Sequence, residues 1–591
     1  MTVNERIAQL RALMESKGID AYVVPSTDPH MSEYVAEHWQ SRAFISGFTG
    51  SAGTVVITKD RSGLWTDSRY FLQAEQQLAY TEIELFKMGM PDVPDYQDFL
   101  YNSLLENDVV GFDGRCFSTA EAKKLEKKFS AKGININSNY DLIAPIWSDR
   151  PSIPMNEIFI HDVKFAGKSR NEKIDEIRRG MKEQSCNIHI IGSLDDIAWI
   201  FNIRGNDVDY NPVAIAYAII RENTAQLFIY EDKVPLDVRK ELEDEGIEVI
   251  SYEKVALKIS DLKDETVLVD TSKLNNWLYS NIPFSCRIVE GMNVSTKLKA
   301  QKNNTEVEGI KKALRRDGSA MVEFYHWLEN NVGKEKITEL SAAKKLREFR
   351  SAKENFVGES FSTIAGYKEH GAIVHYSADE KSDAEIKKEG FFLLDSGGQY
   401  LDGTTDITRM IHLSEPTAQE KKDYTLVLKG HINLAMAKFP ANTRGSQLDV
   451  LARGFLWNNG INYLHGTGHG VGCFLNVHEG PQNIRMEENP NTLKPGMINS
   501  NEPGVYRSGQ YGIRIENLII VRENEETDFG KFYNFETLTL CPIETKPIDK
   551  HYLSEAEINW LNEYHKQVYE SLAPLLGEEH KNWLKEKTKA I

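Results

Sequence analysis

The sequence predicts a multidomain chain of mixed class, two related α/β domains followed by a larger α+β domain, and three observations predict it. At 591 residues the chain exceeds the roughly 250–300 residues at which a single hydrophobic core stops growing. Its first half repeats itself. NERIAQLRALMESKGIDAYVVPSTD, from Asn4, aligns without gaps on NEKIDEIRRGMKEQSCNIHIIGSLD, from Asn171, with Asn4, Glu5, Ser26 and Asp28 returning as Asn171, Glu172, Ser193 and Asp195. Its second half carries two similar segments, KEGFFLLDSGG from Lys388 and KPGMINSNEPG from Lys494, each running Lys, Gly, apolar strand, acid, Gly.

Taken in order, both copies of the repeat read as an amphipathic helix running into a short apolar strand, AYVVP or IHIIG, that ends at a Ser-x-Asp turn. Strand-like runs GTVVIT and GLWTDSRYF follow the first copy, VAIAYAII and AQLFIYE the second. The Gly-rich GFTGSAG lies between FIS and TVVIT, both strand-like, and reads as a hairpin or bulge. A dinucleotide site would need strand, Gly turn and helix in that order. Pro145, Pro151 and Pro154 interrupt helix and ladder alike and end the first domain at 1–150. The Lys-rich GMNVSTKLKAQKNN ends the second, 151–300. Thr305 and Glu308 then read as a capping box, with Ile310, Leu314, Met321, Phe324 and Leu328 at helical spacing, opening a third domain, 301–591. In its tail Trp560, Leu561, Tyr564, Val568 and Leu572 share one helical face, the pattern of a core or subunit contact.

Composition excludes several classes. With 88 acidic against 70 basic residues the net charge is −18, the wrong sign for a nucleic-acid partner held through Lys and Arg. No run approaches the roughly 20 apolar residues that span a bilayer, and the amino terminus lacks a secretory apolar stretch. Five scattered cysteines without CxxC spacing give no disulfide framework or zinc knuckle. Each reads as a small buried apolar side chain, and the chain as cytoplasmic.

The third domain holds a dense set of metal-type ligands in three pieces. FFLLDSGGQYLDGTTDITRMIHL reads as an apolar strand ending at Asp395, an Asp402-Gly403 turn and a second strand bearing Asp406, a hairpin that sets two carboxylates side by side. An isolated pair would read as caps or turn formers. Flanks this apolar instead call for a cation to neutralise them. LKPGMINSNEPGVYRSGQYGIRIENLIIV repeats the design, with Glu502 and Glu516 either side of a Ser508-Gly509 turn. Two such hairpins facing each other would gather four carboxylates, which cannot all stay ionised unaided. YLHGTGHGVGCFLNVHEGP adds His465, His469 and His478. Its glycines exclude the helix of an HExxH site, and His465 and His469 share a face of an extended chain. A lone histidine such as His370 reads as an ordinary core or surface residue, whereas three in one Gly-rich stretch read as a site.

LLDSGGQYLDGTTDITR, HGTGHGVG, NVHEGP, NEPGVY and GIRIEN, in this order, resemble the pita-bread metallopeptidases, and among them the long, three-domain cytosolic Xaa-Pro aminopeptidases (aminopeptidase P). VPSTDPHMSEY, SGFTGSAGTVVIT, LWTDSRYFLQ and FETLTLCPIETKPID extend the likeness over the whole chain. The resemblance implies two creatinase-like α/β N-terminal domains, a C-terminal pita-bread catalytic domain, and a metallo-exopeptidase. That enzyme would hydrolyse the bond between an N-terminal residue and a penultimate proline by attack of a metal-bridged hydroxide. Carried over position by position, Asp395, Asp406, His469, Glu502 and Glu516 match the five ligands of a dinuclear centre. Asp406 and Glu516 would bridge, Asp395 complete one ion, and His469 with Glu502 the other. Four carboxylates and one imidazole independently suit a hard to borderline divalent ion, and both lines point to two Mn²⁺ ions.

Glu502 is implied as general base. His375, in GAIVHYS, and His478 match substrate-side histidines able to stabilise an oxyanion and pass a proton to the leaving proline nitrogen. His465 matches a histidine beside the proline pocket, and Arg514 an arginine that orients the carboxylates; an ordinary cross-strand ion pair is the alternative for Arg514. Ser500 stands where relatives commonly have Thr, keeping the hydroxyl. The resemblance also implies a homodimer acting on peptides with proline second, beside the charge and apolar runs that argue against a nucleic-acid or membrane partner. Two alternatives remain at this level: a prolidase confined to Xaa-Pro dipeptides, and a non-catalytic peptide- or histone-binding relative. Length and the extra α/β domain weigh against the first, and the complete ligand set against the second.

Overall fold

The computed structural model describes residues 1–591, in two compact units: Met1–His161 with Lys168–Ser295, and Asp162–Gly167 with Thr296–Ile591. The first unit contains the repeat. Helix α1 (Val3–Ser16) precedes strand β1 (Ala21–Val24), and helix α2 (Arg170–Glu183) precedes strand β2 (Ile188–Ile191). The repeated glutamates do the same work in both copies: Glu5 closes a capping box with Thr2, and Glu172 with Ser169. The buried faces correspond too, Ile7, Leu10 and Met14 matching Ile174, Ile177 and Met181.

Each central strand stands in a six-stranded sheet of the same order. Around β1 the order is Ile83–Lys87, Ser62–Thr66, Thr54–Thr58, β1, Val109–Gly111, Asn135–Asn137. Around β2 it is Ile247–Ser251, Ala225–Ile229, Ala216–Arg221, β2, Thr266–Val269, Arg287–Glu290. Both central strands run antiparallel to one neighbour and parallel to the other.

The Ser-x-Asp likeness goes less deep. Ser193 opens a helix, Leu194–Ile200, and its hydroxyl meets Asp196. Ser26 instead donates to Gly53 O, while Asp28 accepts from the amides of His30 and Ser32. The Gly-rich segment also departs from expectation. The FIS run is the end of a short helix, Ser41–Ser46, which stops at Gly47 in the left-handed region. The order is therefore helix, loop, strand, because Gly47 at positive φ ends the helix where a hairpin was expected.

In the second unit come helices α3 (Asn304–Asn331) and α4 (Glu339–Ser351) and strands β3 (Ile364–Tyr367), β4 (Phe391–Ser396) and β5 (Ile407–His412). Helices α5 (Ala418–Ala435) and α6 (Gly445–Trp457) follow, then strands β6 (Gly468–Gly470), β7 (Glu479–Ile484) and β8 (Ile498–Asn501). The ribbon β9 (Gly504–Arg507) and β10 (Tyr511–Arg514), the long pair β11 (Asn517–Thr527) and β12 (Gly530–Thr537), and helix α7 (Glu555–Leu572) complete it. One sheet has the order β3-β4-β5. Another runs Lys438–Pro440, β12, β11, β8, β6, β7.

Two local expectations are corrected here. The cap of α3 is Asn303 with Glu306, two residues before the Thr305–Glu308 pair; Asn303 also donates to Ala166 O at 2.9 Å, an extra anchor. The turn between β4 and β5 falls at Leu401-Asp402, between the paired Tyr400 and Gly403, and Asp395 lies opposite Thr408, not Asp406. The hairpin bends at Gly397, where a Cβ would come within 2.0 Å of Thr405 O. The tail stripe is core: Leu561, Tyr564, Val568 and Leu572 pack with Tyr424 and Leu428 of α5, Trp560 at their edge. All five cysteines are free and buried, and no helix is long and apolar enough to cross a membrane.

Candidate metal centre

The acids stand where strands end. Asp395 is next to last in β4, Asp406 directly precedes β5, Glu502 directly follows β8, and Glu516 separates β10 from β11. Because Ser396 pairs with Ile407 and Asn501 with Asn517, each antiparallel pair delivers its two acids at one end. The two pairs are joined. Glu516 N donates to Thr408 O at 3.2 Å, and Thr408 Oγ1 donates to Glu516 Oε2 at 2.8 Å.

His469 arrives on β6, between β8 and β7. A Cβ on Gly468 would lie 2.0 Å from Ser500 O, and one on Gly470 2.0 Å from Glu479 O, so glycine on both sides of His469 permits the close backbone approach. One ligand atom each of Asp406, His469 and Glu516 then lie within 4.8 Å of one another. His469 Nε2 is 3.5 Å from Asp406 Oδ2 and 3.4 Å from Glu502 Oε1. The His478 ring meets the His469 ring edge-on, centroids 4.3 Å apart. The Ser500 hydroxyl accepts from His469 N at 2.9 Å and donates to Glu502 Oε1 at 3.0 Å.

Arg514 ties the remaining residues together. Buried, it donates to Asp395 Oδ2 at 2.6 Å, to Thr408 Oγ1 at 3.2 Å and to the Tyr506 hydroxyl at 2.7 Å. His465 Nε2 lies 2.8 Å from that same hydroxyl. Val374 O faces Arg514 Nη2 at 3.5 Å, which brings the neighbouring His375 to this side of the cluster. Thr408 and Tyr506 were not anticipated from the sequence. Tyr506 had a readable signal: Gly504 pairs with Arg514 and Tyr506 with Gly512, so Tyr506 and Arg514 are diagonal neighbours on one face of the ribbon. Thr408 had none, since nothing in ITRMIH sets its hydroxyl apart.

The electrostatics of this cluster call for cations. Burial, then the charges of Asp395 and Glu502, push the Asp406 carboxyl well above the ordinary carboxylate range. Burial, Asp406 and Glu502 do the same to Glu516. Glu502 is pushed up to about 7 by burial, against the pull of Arg514. Asp395 Oδ1 is buried and has no hydrogen-bond partner. Oxygen donors that raise one another's pKa, an imidazole among them and a free buried carboxylate oxygen fit a hard to borderline divalent cation.

A pH-dependent consequence follows from these shifts. The raised groups hold protons in the metal-free fold that the unfolded chain has already released, so stability falls as pH rises from the ordinary carboxylate range through about 7. Cations displace those protons. The gap in Tm between metal-loaded and chelated protein is expected to be wider at about pH 8 than at about pH 5.5. Differential scanning fluorimetry across that range would show it, and a pH-independent gap would contradict it.

Known proteins share this arrangement of domains. The creatinase/prolidase N-terminal domain matches residues 6–141 and again 149–306. Metallopeptidase family M24 matches 308–523, and the C-terminal region of peptidase M24 matches 531–591. Aminopeptidase P2 of Arabidopsis thaliana is 42% identical over 100% of this chain and 89% of its own length. Xaa-Pro aminopeptidase 1 of Dictyostelium discoideum is 40% identical over 100% of this chain and 97% of its own. The crystal structure of an X-prolyl aminopeptidase from Caenorhabditis elegans, a cytosolic enzyme with a di-nuclear active site, aligns at TM-score 0.96 and 36% identity, covering 100% of both chains. Such matches define a metallopeptidase with two creatinase-type domains ahead of its catalytic domain. The chain belongs to metallopeptidase family M24 and, within it, to the Xaa-Pro aminopeptidases (aminopeptidase P).

Proposed function

We propose that this protein removes an N-terminal residue that precedes proline, using two divalent cations, manganese by preference, held by Asp395, Asp406, His469, Glu502 and Glu516. The observation that carries the reading is the convergence of Asp406, His469 and Glu516 within 4.8 Å, with Glu502 alongside and every raised carboxyl in need of positive charge. Full-length similarity to Xaa-Pro aminopeptidases supports the substrate class.

Asp406 and Glu516, central to the cluster, would be shared by the ions, and Asp395, His469 and Glu502 would complete their holding. When bound, such a pair of cations acidifies a water and polarises a peptide carbonyl. Glu502, its carboxylate held in place by the Ser500 hydroxyl, would be the base for the attacking water. His478, against His469, and His375, beside Arg514, offer imidazole donors for the carbonyl oxygen as it becomes negative and for the departing proline nitrogen. His465, held by the Tyr506 hydroxyl, borders the proline ring, and Arg514 fixes the direction of Asp395. The cytosolic description of the Caenorhabditis elegans enzyme supports a cytoplasmic setting. A homodimer and domain limits near 150 and 300 belong to the same reading.

Hydrolysis of an Xaa-Pro dipeptide and an Xaa-Pro-Yaa tripeptide by one sample, with its metal content measured, tests it. The tripeptide is expected to be cleaved at the Xaa-Pro bond with bound divalent metal present. Cleavage of the dipeptide alone would make the protein a prolidase, and cleavage of neither by metal-loaded protein would leave a binding protein.

A further inference from the structure

His375 stands on chain with almost no regular structure. A single 3-10 turn, Lys368–Ala372, follows β3, and irregular backbone then runs on to β4. The residues on either side of it are nonetheless tied to Glu339, the first residue of α4, whose side chain is fully buried. Glu339 Oε1 accepts from Tyr367 N at 2.8 Å and lies 2.9 Å from His370 Nδ1. Glu339 Oε2 accepts from the Tyr376 hydroxyl at 2.8 Å and from Ala384 N at 3.0 Å. The rings of His370 and Tyr376 stack with centroids 4.5 Å apart. The two side chains that bracket residues 371–375 are thus held to each other and to one carboxylate.

The same stretch is pinned from its other side. A Cβ on Gly512 of β10 would come 1.7 Å from Gly371 O, and one on Gly366 of β3 2.8 Å from Gly371 Cα. The turn therefore packs backbone to backbone on the strand that carries Arg514, and Arg514 reaches Val374 O. A buried carboxylate is costly unless its lone pairs are filled. Here the donors come from the two ends of the stretch bearing His375. The bond to Glu339 also holds the His370 imidazole above its ordinary range despite partial burial, so the tie on that side is charge-assisted.

We propose that Glu339, with His370 and Tyr376, forms a positioning cluster that sets His375 against the substrate. This rests on the reading of His375 as a substrate-side histidine. None of the three touches the reacting atoms; they act through the backbone between them, where small displacements of a catalytic group are costly in rate.

The test compares kcat, KM and metal content of the full-length, manganese-loaded protein on an Xaa-Pro-Yaa tripeptide. The variants are Tyr376→Phe, Glu339→Gln, His375→Ala and the Tyr376→Phe/His375→Ala pair. Tyr367→Phe is the control, since that hydroxyl donates to Glu389 O, away from Glu339. Tyr376→Phe is expected to lower kcat/KM by about tenfold with metal content unchanged, Glu339→Gln by more, and Tyr367→Phe not at all. The double variant is expected to be no slower than His375→Ala, because a residue that acts through His375 then has nothing left to act on. Full activity in His375→Ala would remove the substrate-side reading, and this proposal with it. An impaired His375→Ala beside a fully active Tyr376→Phe would overturn the positioning role alone, as would a double variant slowed by both factors. If Glu339→Gln fails to fold, Tyr376→Phe decides.

Discussion

Replacing Asp406 with Asn is expected to cost the protein its metal and its activity while leaving the metal-free fold at least as stable as the parent. Asp406 is buried, 3.5 Å from His469, and its carboxyl is pushed well up by burial and by Asp395 and Glu502. Asn keeps the shape and the hydrogen-bonding capacity but removes one negative charge from a cluster whose members repel one another. In the metal-free chain that change relieves strain. In the loaded chain it removes the ligand proposed to bridge two ions. The expected loss in kcat/KM is about a thousandfold or more, roughly 4 kcal/mol of transition-state stabilisation. Metal analysis, peptide hydrolysis and a thermal scan of the chelated protein at about pH 8 check the three parts separately. Normal turnover by Asp406→Asn would mean that hydrolysis does not run through this centre, and a lower metal-free Tm would mean that the repulsion argument is wrong.

Replacing Arg409 with Met is expected to produce a large loss of stability. Arg409 is buried, and the neutral groups around it accept every bond it gives. Its Nε donates to Pro542 O at 3.0 Å, and Nη1 to Thr408 O at 3.0 Å and Glu516 O at 2.6 Å. Its Nη2 donates to Asn517 Oδ1 at 2.7 Å, Cys541 O at 2.9 Å and the Tyr564 hydroxyl at 2.8 Å. One guanidinium thereby fastens β5, β11, the chain before α7, and α7 itself, directly behind Thr408 and Glu516. Met fills much of the stem's volume but takes the donor away from buried acceptors such as Pro542 O and Glu516 O, a cost of about 1–3 kcal/mol for each acceptor left unsatisfied. Arg409→Lys is expected to recover only part, since an ammonium cannot reach acceptors on three sides at once. A thermal unfolding midpoint within a degree or two of wild type would contradict this account. At temperatures where the variant is folded, weaker metal retention is expected as well, because Glu516 has lost the anchor on its own carbonyl.

Legibility in the sequence followed the range of the interaction. The repeat was readable because it rests on local periodicity: Ile7, Leu10 and Met14, like Ile174, Ile177 and Met181, mark a helix face by spacing alone. The acid-bearing strands and the Gly-rich histidine segment were readable for the same reason. Errors arose where two local signals competed. Asn303 and Thr305 can both cap α3, and the contact of Asn303 with Ala166, far away in sequence, accompanies the cap actually used. FIS has strand-like composition, yet it ends a helix because Gly47 takes a positive φ. Thr408, Arg409 and Glu339 left no pattern at all, since the partners that give each its role lie far away in sequence.

Sequence alone therefore supplied the class of fold, the family resemblance and the candidate acids and histidines, all matters of spacing within a few residues. The arrangement of that inventory was decided in three dimensions. Glu516 meets Thr408, and Arg514 meets Asp395, across more than a hundred residues of chain. Strand pairing and the bend at Gly397 determine those meetings, and no periodicity encodes them. The pressure on the carboxyls has the same origin: a carboxylate is an ordinary acid until burial strips its water and packing sets other acids beside it.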